Sequence, residues 1–266
     1  MNITRRTIIG ALAAATFVSA AAIPAVAQTP EEIKAKGALN VGMLIDFPPF
    51  GIMNAENKPD GYDADVAKLL GESLGVPVNI VPVTGPNRIP YLLSGQVDVL
   101  VASLGITEER AKRVAFSQPY AGIRIGVIGP VGTDMSTPEK LSGRTIGVAR
   151  ASTQDTALTK VAPPDAQIQR FDDDASAVQA LLSGQVEALG ISNVVGLQIK
   201  QAAADRFEDK FDLTQQVQGI AVRPGSDALL AAINSFLEKA KADGKLNEIH
   251  QKWLASPLPD FVAKAK

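Results

Sequence analysis

The residues best suited to chemistry form a polar segment at positions 103–110, which reads SLGITEER. An apolar run typical of a buried strand precedes it, and Thr107 is placed to cap a helix whose first turn contains Arg110. A cation is disfavoured there because the unpaired backbone N–H groups of a helix N-terminus already supply positive potential. Arg110 therefore predicts a bound anion, since a guanidinium matches a carboxylate with two hydrogen bonds. The alternative is a salt bridge to a neighbouring carboxylate such as Glu108 or Asp63.

Two further strand ends carry polar groups. The predicted strand 145–149 leads to Ser152 and Thr153 at a helix start, a second terminus suited to an anion, although such hydroxyl caps are common in any protein. The predicted strand 78–83 leads to Arg88, also at a helix start. Its position fits a ligand contact and a solvated helix-end charge equally well.

An aromatic pair follows the first predicted strand, 39–44, in the turn IDFPPF. This stiff turn can hold Phe47 or Phe50 against a ligand. Both rings could instead belong to the core, which is the better explanation for Phe50.

The elements that must position these groups alternate in the manner of an α/β protein. Apolar runs at 39–44, 78–83 and 97–102 are separated by segments of helical periodicity, which predicts mostly parallel sheets. Ligands of such sheets lie outside the carboxyl ends of the strands, where the polar groups are found. Residues 92–103 (LLSGQVDVLVAS) and 181–192 (LLSGQVEALGIS) are identical at eight positions. This internal repeat predicts two lobes with the same local fold, although so short a match can also arise by chance.

The N-terminal residues 1–27 have the composition of a secretion signal. Arg5 and Arg6 precede an apolar stretch without an acidic residue, and small residues at 25–27 match a signal-peptidase site. The alternative is a membrane anchor, for which the stretch is too short and too rich in Ala, Thr and Ser. The arginine pair fits both a twin-arginine signal and a chance pair in a basic leader.

Composition argues against several classes of protein. After residue 27 the chain has 24 Lys and Arg against 28 Asp and Glu, so no nucleic-acid partner is expected. Because cysteine is absent, we expect no disulfide, no thiolate nucleophile and no lipid anchor, and we predict a soluble protein of the Gram-negative periplasm. A single histidine and the lack of a phosphate-binding glycine loop or paired metal ligands predict no catalytic residue, no metal and no cofactor. Acid–base chemistry by Asp or Glu stays open.

Several motifs occur in a defined order along the chain. They are GALNVG at 37–42, PPF at 48–50, GYDADVA at 61–67, SLGITEER at 103–110, FSQPY at 116–120 and GIAVRPGSD at 219–227, followed by DGKLNEIHQKWL. Together they resemble the polar amino-acid-binding proteins of bacterial ABC importers, the family 3 extracellular solute-binding proteins.

The resemblance implies an α/β fold with two lobes, the type II periplasmic-binding-protein-like "Venus flytrap". Each lobe would be a mostly parallel sheet flanked by helices. The first lobe would comprise residues 28–121 and 219–266, and the second residues 122–218. Two hinge strands would lie near 120–124 and 214–218.

The same resemblance assigns roles to single residues. Arg110 would clamp the α-carboxylate of an amino acid, helped by Ser152 and Thr153 from the second lobe. Ser103 and Gly105 would offer a hydroxyl and a carbonyl to the α-amino group.

Three positions bear on the side chain of the ligand. Phe47 matches an aromatic ring over the ligand, and Arg88 matches a position that approaches the side chain in acidic-amino-acid binders. Basic-amino-acid binders have an acid at the position of Leu44, which argues against lysine, arginine and ornithine. The prediction is an acidic or neutral polar amino acid.

One departure from the family pattern concerns the ligand ammonium. The family usually has an aspartate after the strand 186–191, where this chain has Ser192. A hydroxyl accepts a hydrogen bond but cannot neutralise a buried charge. Either another carboxylate pairs with the ammonium, for instance one of residues 172–174, or Ser192 faces an amine-free organic acid.

The expected function is that of a monomeric carrier that closes on its ligand and delivers it to a membrane permease. Two other classes stay open. One is a dehydratase-like enzyme acting on cyclic carboxylates on the same scaffold. The other is a ligand-sensing ectodomain, which would need a following transmembrane segment or signalling domain.

Overall fold

The computed structural model describes residues 27–203 and 205–265. The predicted signal peptide, residues 1–27, lies outside the described residues except for Ala27. No helix in the described ranges is long and apolar enough to cross a membrane.

Strands and helices alternate along the described chain. The strands are β1 (Leu39–Leu44), β2 (Ile52–Met53), β3 (Pro59–Asp60), β4 (Val78–Val83), β5 (Val99–Leu100), β6 (Ala115–Pro130), β7 (Thr145–Ala149), β8 (Gln167–Phe171), β9 (Ala188–Ser192) and β10 (Phe207–Val222). The helices are α1 (Pro30–Lys36), α2 (Tyr62–Leu74), α3 (Arg88–Leu93), α4 (Glu108–Ala111), α5 (Thr153–Val161), α6 (Asp174–Leu182), α7 (Asn193–Ala202), α8 (Asp227–Ala242), α9 (Lys245–Leu254) and α10 (Asp260–Ala263), with a 3₁₀ turn at Pro138–Leu141.

The predicted strands at 39–44, 78–83 and 145–149 are confirmed. The predicted strand 97–102 is wrong in length, since only Val99–Leu100 is a strand. The backbone carbonyl of Ala102 is taken by the Arg88 side chain at 2.8 Å instead of by a neighbouring strand. The strand therefore ends early, and the polar segment that follows it pairs with β10 through a single bridge between Gly105 and Gln218.

Eight of the described strands form one sheet in the order β4-β1-β5-β10-β6-β9-β7-β8. At one end β1 pairs in parallel with β4 and β5, and at the other end β7 pairs in parallel with β8 and β9. The long antiparallel pair of β6 and β10 joins the two ends. This arrangement confirms the predicted α/β fold of two lobes, each with a mostly parallel sheet flanked by helices.

The two copies of the internal repeat have the same local structure. In each copy a helix, α3 or α6, is capped by a serine, Ser94 or Ser183, and the next residue is a glycine with a φ of +78°. A glycine adopts this left-handed conformation without the steric cost of a side chain. The strand that follows, β5 or β9, pairs in parallel with β1 or β7. One sequence plan is therefore used once in each lobe.

The two strands that cross between the lobes contain 16 residues each. The predicted hinge stretches pair with each other, with Ala121 opposite Gln218 and Arg124 opposite Gln215. The pairing shifts register between Asp212 and Thr214 and again between Gln218 and Gly219, at the two ends of this stretch. Such interruptions weaken a ladder locally and favour bending there. The lobe boundaries, 28–121 with 219–266 and 122–218, stay a prediction.

Helices of the first lobe cover its sheet with the apolar stripes that their periodicity predicts. Tyr62, Val66 and Leu70 of α2 are fully buried. Trp253 fixes α9 against α2, because its indole Nε1–H donates to the Asp65 carboxylate at 2.7 Å. His250 is also buried, with Nδ1 at 2.7 Å from the carbonyl of Ser256, which gives this histidine a structural role.

Asp98 ties the start of the described chain to the first lobe. Its side chain is 1% exposed and accepts hydrogen bonds from the Gln28 amide at 2.6 Å, the Lys36 ammonium at 2.9 Å and the Asn40 backbone N–H at 2.8 Å. We expect Asp98→Ala to lower the free energy of unfolding by about 3 kcal/mol, because all three donors lose their acceptor. Urea unfolding measures this loss.

Lys36→Ala is the matched control, because it removes the other charge of the same ion pair. The Lys36 side chain is 42% exposed, so water can replace the lost contact and we expect a loss of less than about 1 kcal/mol. Equal losses in the two variants would show that Asp98 contributes only a surface ion pair.

Candidate ligand-binding cleft

Arg110 lies where the two lobes meet. Thr107 caps α4 as predicted, with its Oγ1 accepting the Arg110 backbone N–H at 3.2 Å. The guanidinium donates from Nη1 to the Gly105 carbonyl at 3.0 Å and from Nη2 to the Ala151 carbonyl at 2.9 Å, and Ala151 belongs to the second lobe. One side chain therefore contacts both sides of the cleft.

Among the described residues, no carboxylate contacts the charge of Arg110. Within the described ranges no carboxylate forms an ion pair with it, so the alternative of a salt bridge to Glu108 or Asp63 is not found. Burial lowers the pKa of Arg110 to about 9, and the positive charge of Arg88 adds to this effect. An anion bound to the remaining N–H groups of Arg110 would offset both the burial of its charge and the repulsion from Arg88.

A groove of about 580 Å³ opens beside Arg110 between the lobes. Its walls include Gly85 and Arg88 from the first lobe and Ala151 and Thr153 from the second. A groove of this size matches the volume of a small-molecule site.

Thr153 and Gly105 are brought together by a residue that sequence reasoning placed only in the hinge. Thr153 Oγ1 donates to the side-chain carbonyl of Gln216 in β10. The amide of Gln216 lies so close to Gly105 that a Cβ at this glycine would be 1.9 Å from Nε2. A side chain at position 105 would therefore displace the Gln216 amide, which links the two lobes at the hinge. Nothing in the sequence around Gln216 indicates this contact.

Ser152 lies at the same helix start but its hydroxyl is occupied. It caps α5, and its Oγ accepts the Asp155 backbone N–H at 3.1 Å. The predicted helix start is correct, and the direct role of Ser152 in ligand binding stays a prediction.

Ser103 is held in an unusual backbone conformation beside a buried carboxylate. Its φ is +45°, its N–H donates to Tyr120 Oη at 3.1 Å and its Oγ donates to Asp63 at 3.0 Å. Tyr120 Oη donates to the other oxygen of Asp63 at 2.7 Å. Burial raises the pKa of Asp63 to about 7, although these hydrogen bonds oppose the shift. The hydroxyl of Ser103 is thus directed at Asp63, and its predicted contact with an amino group stays untested.

The raised pKa of Asp63 makes stability depend on pH. A carboxyl whose folded pKa lies above its unfolded value of 3.8 stabilises the fold fully below that value and loses this contribution as the pH rises through about 7. We therefore expect Asp63→Asn, which carries no charge at any pH, to gain stability relative to the wild type between pH 5 and pH 8. Thermal unfolding of both proteins at the two pH values measures the change, which should be at least about 3 °C.

Asp172→Asn is the control for this measurement because the Asp172 side chain is 81% exposed. Its difference from the wild type should be the same at both pH values. A constant difference for Asp63→Asn as well would contradict the titration of Asp63 in this range.

Arg88 is only 4% exposed, which excludes the alternative of a solvated helix-end charge. Its Nη1 donates to the Ala102 carbonyl at 2.8 Å. Burial lowers the pKa of Arg88, and the negative charges of Asp174, Asp46 and Asp63 oppose this. Arg88 is therefore a buried cation that faces three carboxylates.

Asp174 and Asp46 approach each other across the cleft. The backbone N–H of Asp174 in the second lobe donates to Asp46 Oδ2 in the first lobe at 3.2 Å. Asp174 is 6% exposed, and the Gln154 amide donates to its Oδ1 at 3.1 Å. Burial raises its pKa to about 7, with the charge of Asp46 as the second cause. Asp174 is one of the three aspartates that the sequence offered as partners of a ligand ammonium, but the sequence does not indicate its approach to Asp46.

The partners found for Phe47 and Ser192 lie outside this polar group. Phe47 is 4% exposed and stacks on the buried ring of Phe50, with ring centroids 5.5 Å apart. Phe50 is a core residue, as predicted. Ser192 is fully buried and caps α7, with Oγ accepting the Val195 N–H at 3.2 Å. In the described chain no hydrogen bond joins Ser192 to another predicted site residue.

Comparison with known proteins gives the family. The model of the bacterial extracellular solute-binding proteins, family 3, matches residues 39–256. The chain belongs to this family. The ABC transporter glutamine-binding protein GlnH of Bacillus subtilis (strain 168) is 31% identical over 227 residues, which cover 84% of this chain and 83% of the relative.

Two solved structures are also similar to this solute-binding protein. An ancestral arginine-binding protein bound to glutamine is 37% identical, with a TM-score of 0.78 over 83% of this chain and 99% of that chain. The ancestral amino acid-binding protein AncCDT-1, a precursor of cyclohexadienyl dehydratase, is 30% identical, with a TM-score of 0.79 over 84% of this chain and 98% of that chain. The family assigns this chain a substrate-binding role, with a small-molecule ligand and a membrane permease as partners.

Proposed function

We propose that this protein is the periplasmic substrate-binding component of an ABC importer and that its ligand is an amino acid. Among the amino acids, we favour neutral polar ones. In this proposal the protein acts as a monomer, does no covalent chemistry and passes the ligand to a permease that recognises the closed form.

The observation that carries the proposal is the environment of Arg110. Its guanidinium bridges the lobes through two carbonyl oxygens, yet no carboxylate of the described chain pairs with it. A carboxylate ligand would supply the missing charge and would hold the lobes together through the same side chain. The glutamine and amino acid named for the similar proteins support an amino acid as the source of this carboxylate.

The charges around Arg88 favour a neutral ligand side chain over an acidic one. Arg88 faces Asp174, Asp46 and Asp63, so this part of the cleft already has more carboxylates than cations. An acidic ligand side chain would add another negative charge there, which is unfavourable in a buried site. A neutral polar side chain can hydrogen-bond to the same groups without this cost.

Closure would follow from contacts that exist only when the lobes meet. In an open form the first lobe would bind the ligand through Arg110. Rotation about β6 and β10 would then bring Thr153 and the Ala151 carbonyl onto the site. The ligand shifts the population toward the closed form because these contacts are available only there.

Native mass spectrometry of the refolded, ligand-free protein tests the proposal. The protein is offered a pool of L-glutamine, L-cysteine, L-glutamate, L-arginine and succinate. Retention of an unchanged neutral amino acid would support the proposal. Retention of only glutamate or arginine would overturn the assignment of a neutral side chain, and retention of only succinate would overturn the amino-acid assignment. Conversion of a pool member to a new product would replace the carrier with an enzyme.

A further inference from the structure

We infer that Asp174, together with Asp46, binds the ammonium group of the ligand and so makes this cleft specific for molecules that carry both a carboxylate and an amine. The inference rests on the proposed function, because it names the second charged contact of the same site. The evidence for it is the geometry of Asp174 and the positions of the groups around this residue.

Asp174 is a buried carboxylate with an oxygen available. Only 6% of the residue is exposed, and Oδ1 accepts the Gln154 amide at 3.1 Å. No donor among the described residues forms a hydrogen bond to Oδ2. A carboxylate oxygen that receives no protein donor can accept a hydrogen bond from a ligand N–H group.

Asp46 supplies a second carboxylate from the opposite lobe. Its Oδ2 accepts the Asp174 backbone N–H at 3.2 Å, so the two side chains share one small region when the lobes are in contact. Burial and the charge of Asp46 both raise the pKa of Asp174. Two carboxylates and one cation, Arg88, leave this region short of positive charge, and an ammonium would supply it.

The anion-binding and cation-binding sides of the cleft are joined by one short segment. Ala151 places its carbonyl on the Arg110 guanidinium at 2.9 Å, and Gln154 places its amide on Asp174 at 3.1 Å. These two residues are three positions apart at the start of α5. In this inference a single small molecule contacts Arg110 with its carboxylate and Asp174 with its amine.

Neither Ser192 nor Arg88 competes for this role. The Ser192 hydroxyl accepts the Val195 N–H as a helix cap, and the residue is fully buried. Arg88 is near Asp174, but its guanidinium donates to the Ala102 carbonyl, and the described chain has no ion pair between the two. Oδ2 of Asp174 is thus in contact with no cation of the described chain.

The test pairs each amino acid with an analogue that lacks only the amine. Calorimetry measures binding of L-glutamine and glutaramate, of L-cysteine and 3-mercaptopropionate, and of L-arginine and 5-guanidinovalerate. The proteins are the wild type, Asp174→Asn and Asp173→Asn. Asp173 is the matched control because it is adjacent and loses the same charge, and asparagine still caps α6.

We expect Asp174→Asn to weaken binding of the preferred amino acid at least about 30-fold, while Asp173→Asn changes it less than about threefold. Binding of the amine-free partner should change little in both variants. Thermal unfolding without ligand separates loss of binding from loss of fold, and Asp174→Asn should unfold at the same or a higher temperature because a buried charge is removed.

Two results would count against the inference, and they differ from failure of the proposed function. Equal effects of Asp174→Asn and Asp173→Asn would overturn it, as would an equal loss for the amino acid and its amine-free partner. Failure of the wild type to bind any of the amino acids would overturn the proposed function instead.

Discussion

Arg110→Ala is expected to weaken amino-acid binding between about 30-fold and several thousand-fold. Truncating one member of a buried, hydrogen-bonded charge pair costs about 2 to 5 kcal/mol, and most of this cost comes from the partner charge left unpaired. In this cleft the partner would be the ligand carboxylate, which has no other cation in the position that Arg110 occupies between Gly105 and Ala151. Calorimetric titration of the preferred amino acid measures the loss.

Arg113→Ala is the matched control for this variant. Arg113 lies in the turn after Arg110, is exposed and lines the same groove, so its removal takes away the same charge at a short distance. We expect less than about a threefold change, because an exposed charge steers the ligand only weakly at physiological salt. Arg110→Lys should fall between the two, since an ammonium keeps the charge but not the planar pair of donors. Equal losses for Arg110→Ala and Arg113→Ala would show that the groove attracts anions only through its overall field.

Gly85→Ala is expected to weaken binding about 5- to 150-fold by hindering closure. A Cβ at Gly85 would lie 2.7 Å from the backbone oxygen of Arg150 in the opposite lobe, and a backbone atom cannot move aside as a flexible side chain can. Overpacking of this kind costs about 1 to 3 kcal/mol, and here the cost applies only when the lobes meet. In the open form of the proposed closure this contact would be absent, so the stability of each lobe should be unchanged.

Calorimetry gives the affinity of Gly85→Ala, and small-angle X-ray scattering with saturating ligand gives the degree of closure. The variant should be more extended than the wild type. Gly196→Ala is the control glycine, because a Cβ there would find its nearest neighbour at 3.7 Å, an ordinary contact. Full closure of Gly85→Ala with wild-type affinity would show that the lobes do not approach at this point in the ligand-bound protein.

Asp63 and Asp174 are both buried carboxyls, but they differ in the number of protein donors that bind them. Burial raises the pKa of each to about 7. Asp63 has internal donors in Ser103 and Tyr120, whereas Asp174 has one internal donor in Gln154. Asp63 is therefore held by hydrogen bonds within the protein, whereas Asp174 has an oxygen that a ligand can bind.

The sequence correctly predicted the structural features that depend on residues close together in the chain. The strands 39–44, 78–83 and 145–149, the Thr107 cap and the Ser-Gly turns of the two repeats all follow from periodicity and from backbone preferences. The polar groups at strand ends also follow, because parallel strands place their carboxyl ends at one edge of a sheet. These features predicted Arg110, Thr153 and Arg88 at helix starts that follow strands.

Only the tertiary structure shows which charged groups are buried and which residues of the two lobes contact each other. The sequence by itself determined the α/β fold class and placed arginines at helix starts that follow strands, and the family resemblance supplied the predicted hinge stretches. It could not show that Arg88 is buried among three carboxylates, that Gln216 links Gly105 to Thr153, or that Asp174 meets Asp46, because each of these contacts joins residues far apart in the chain. Their energies depend on burial and on distance across the cleft, and both quantities exist only once the two lobes are folded and placed against each other.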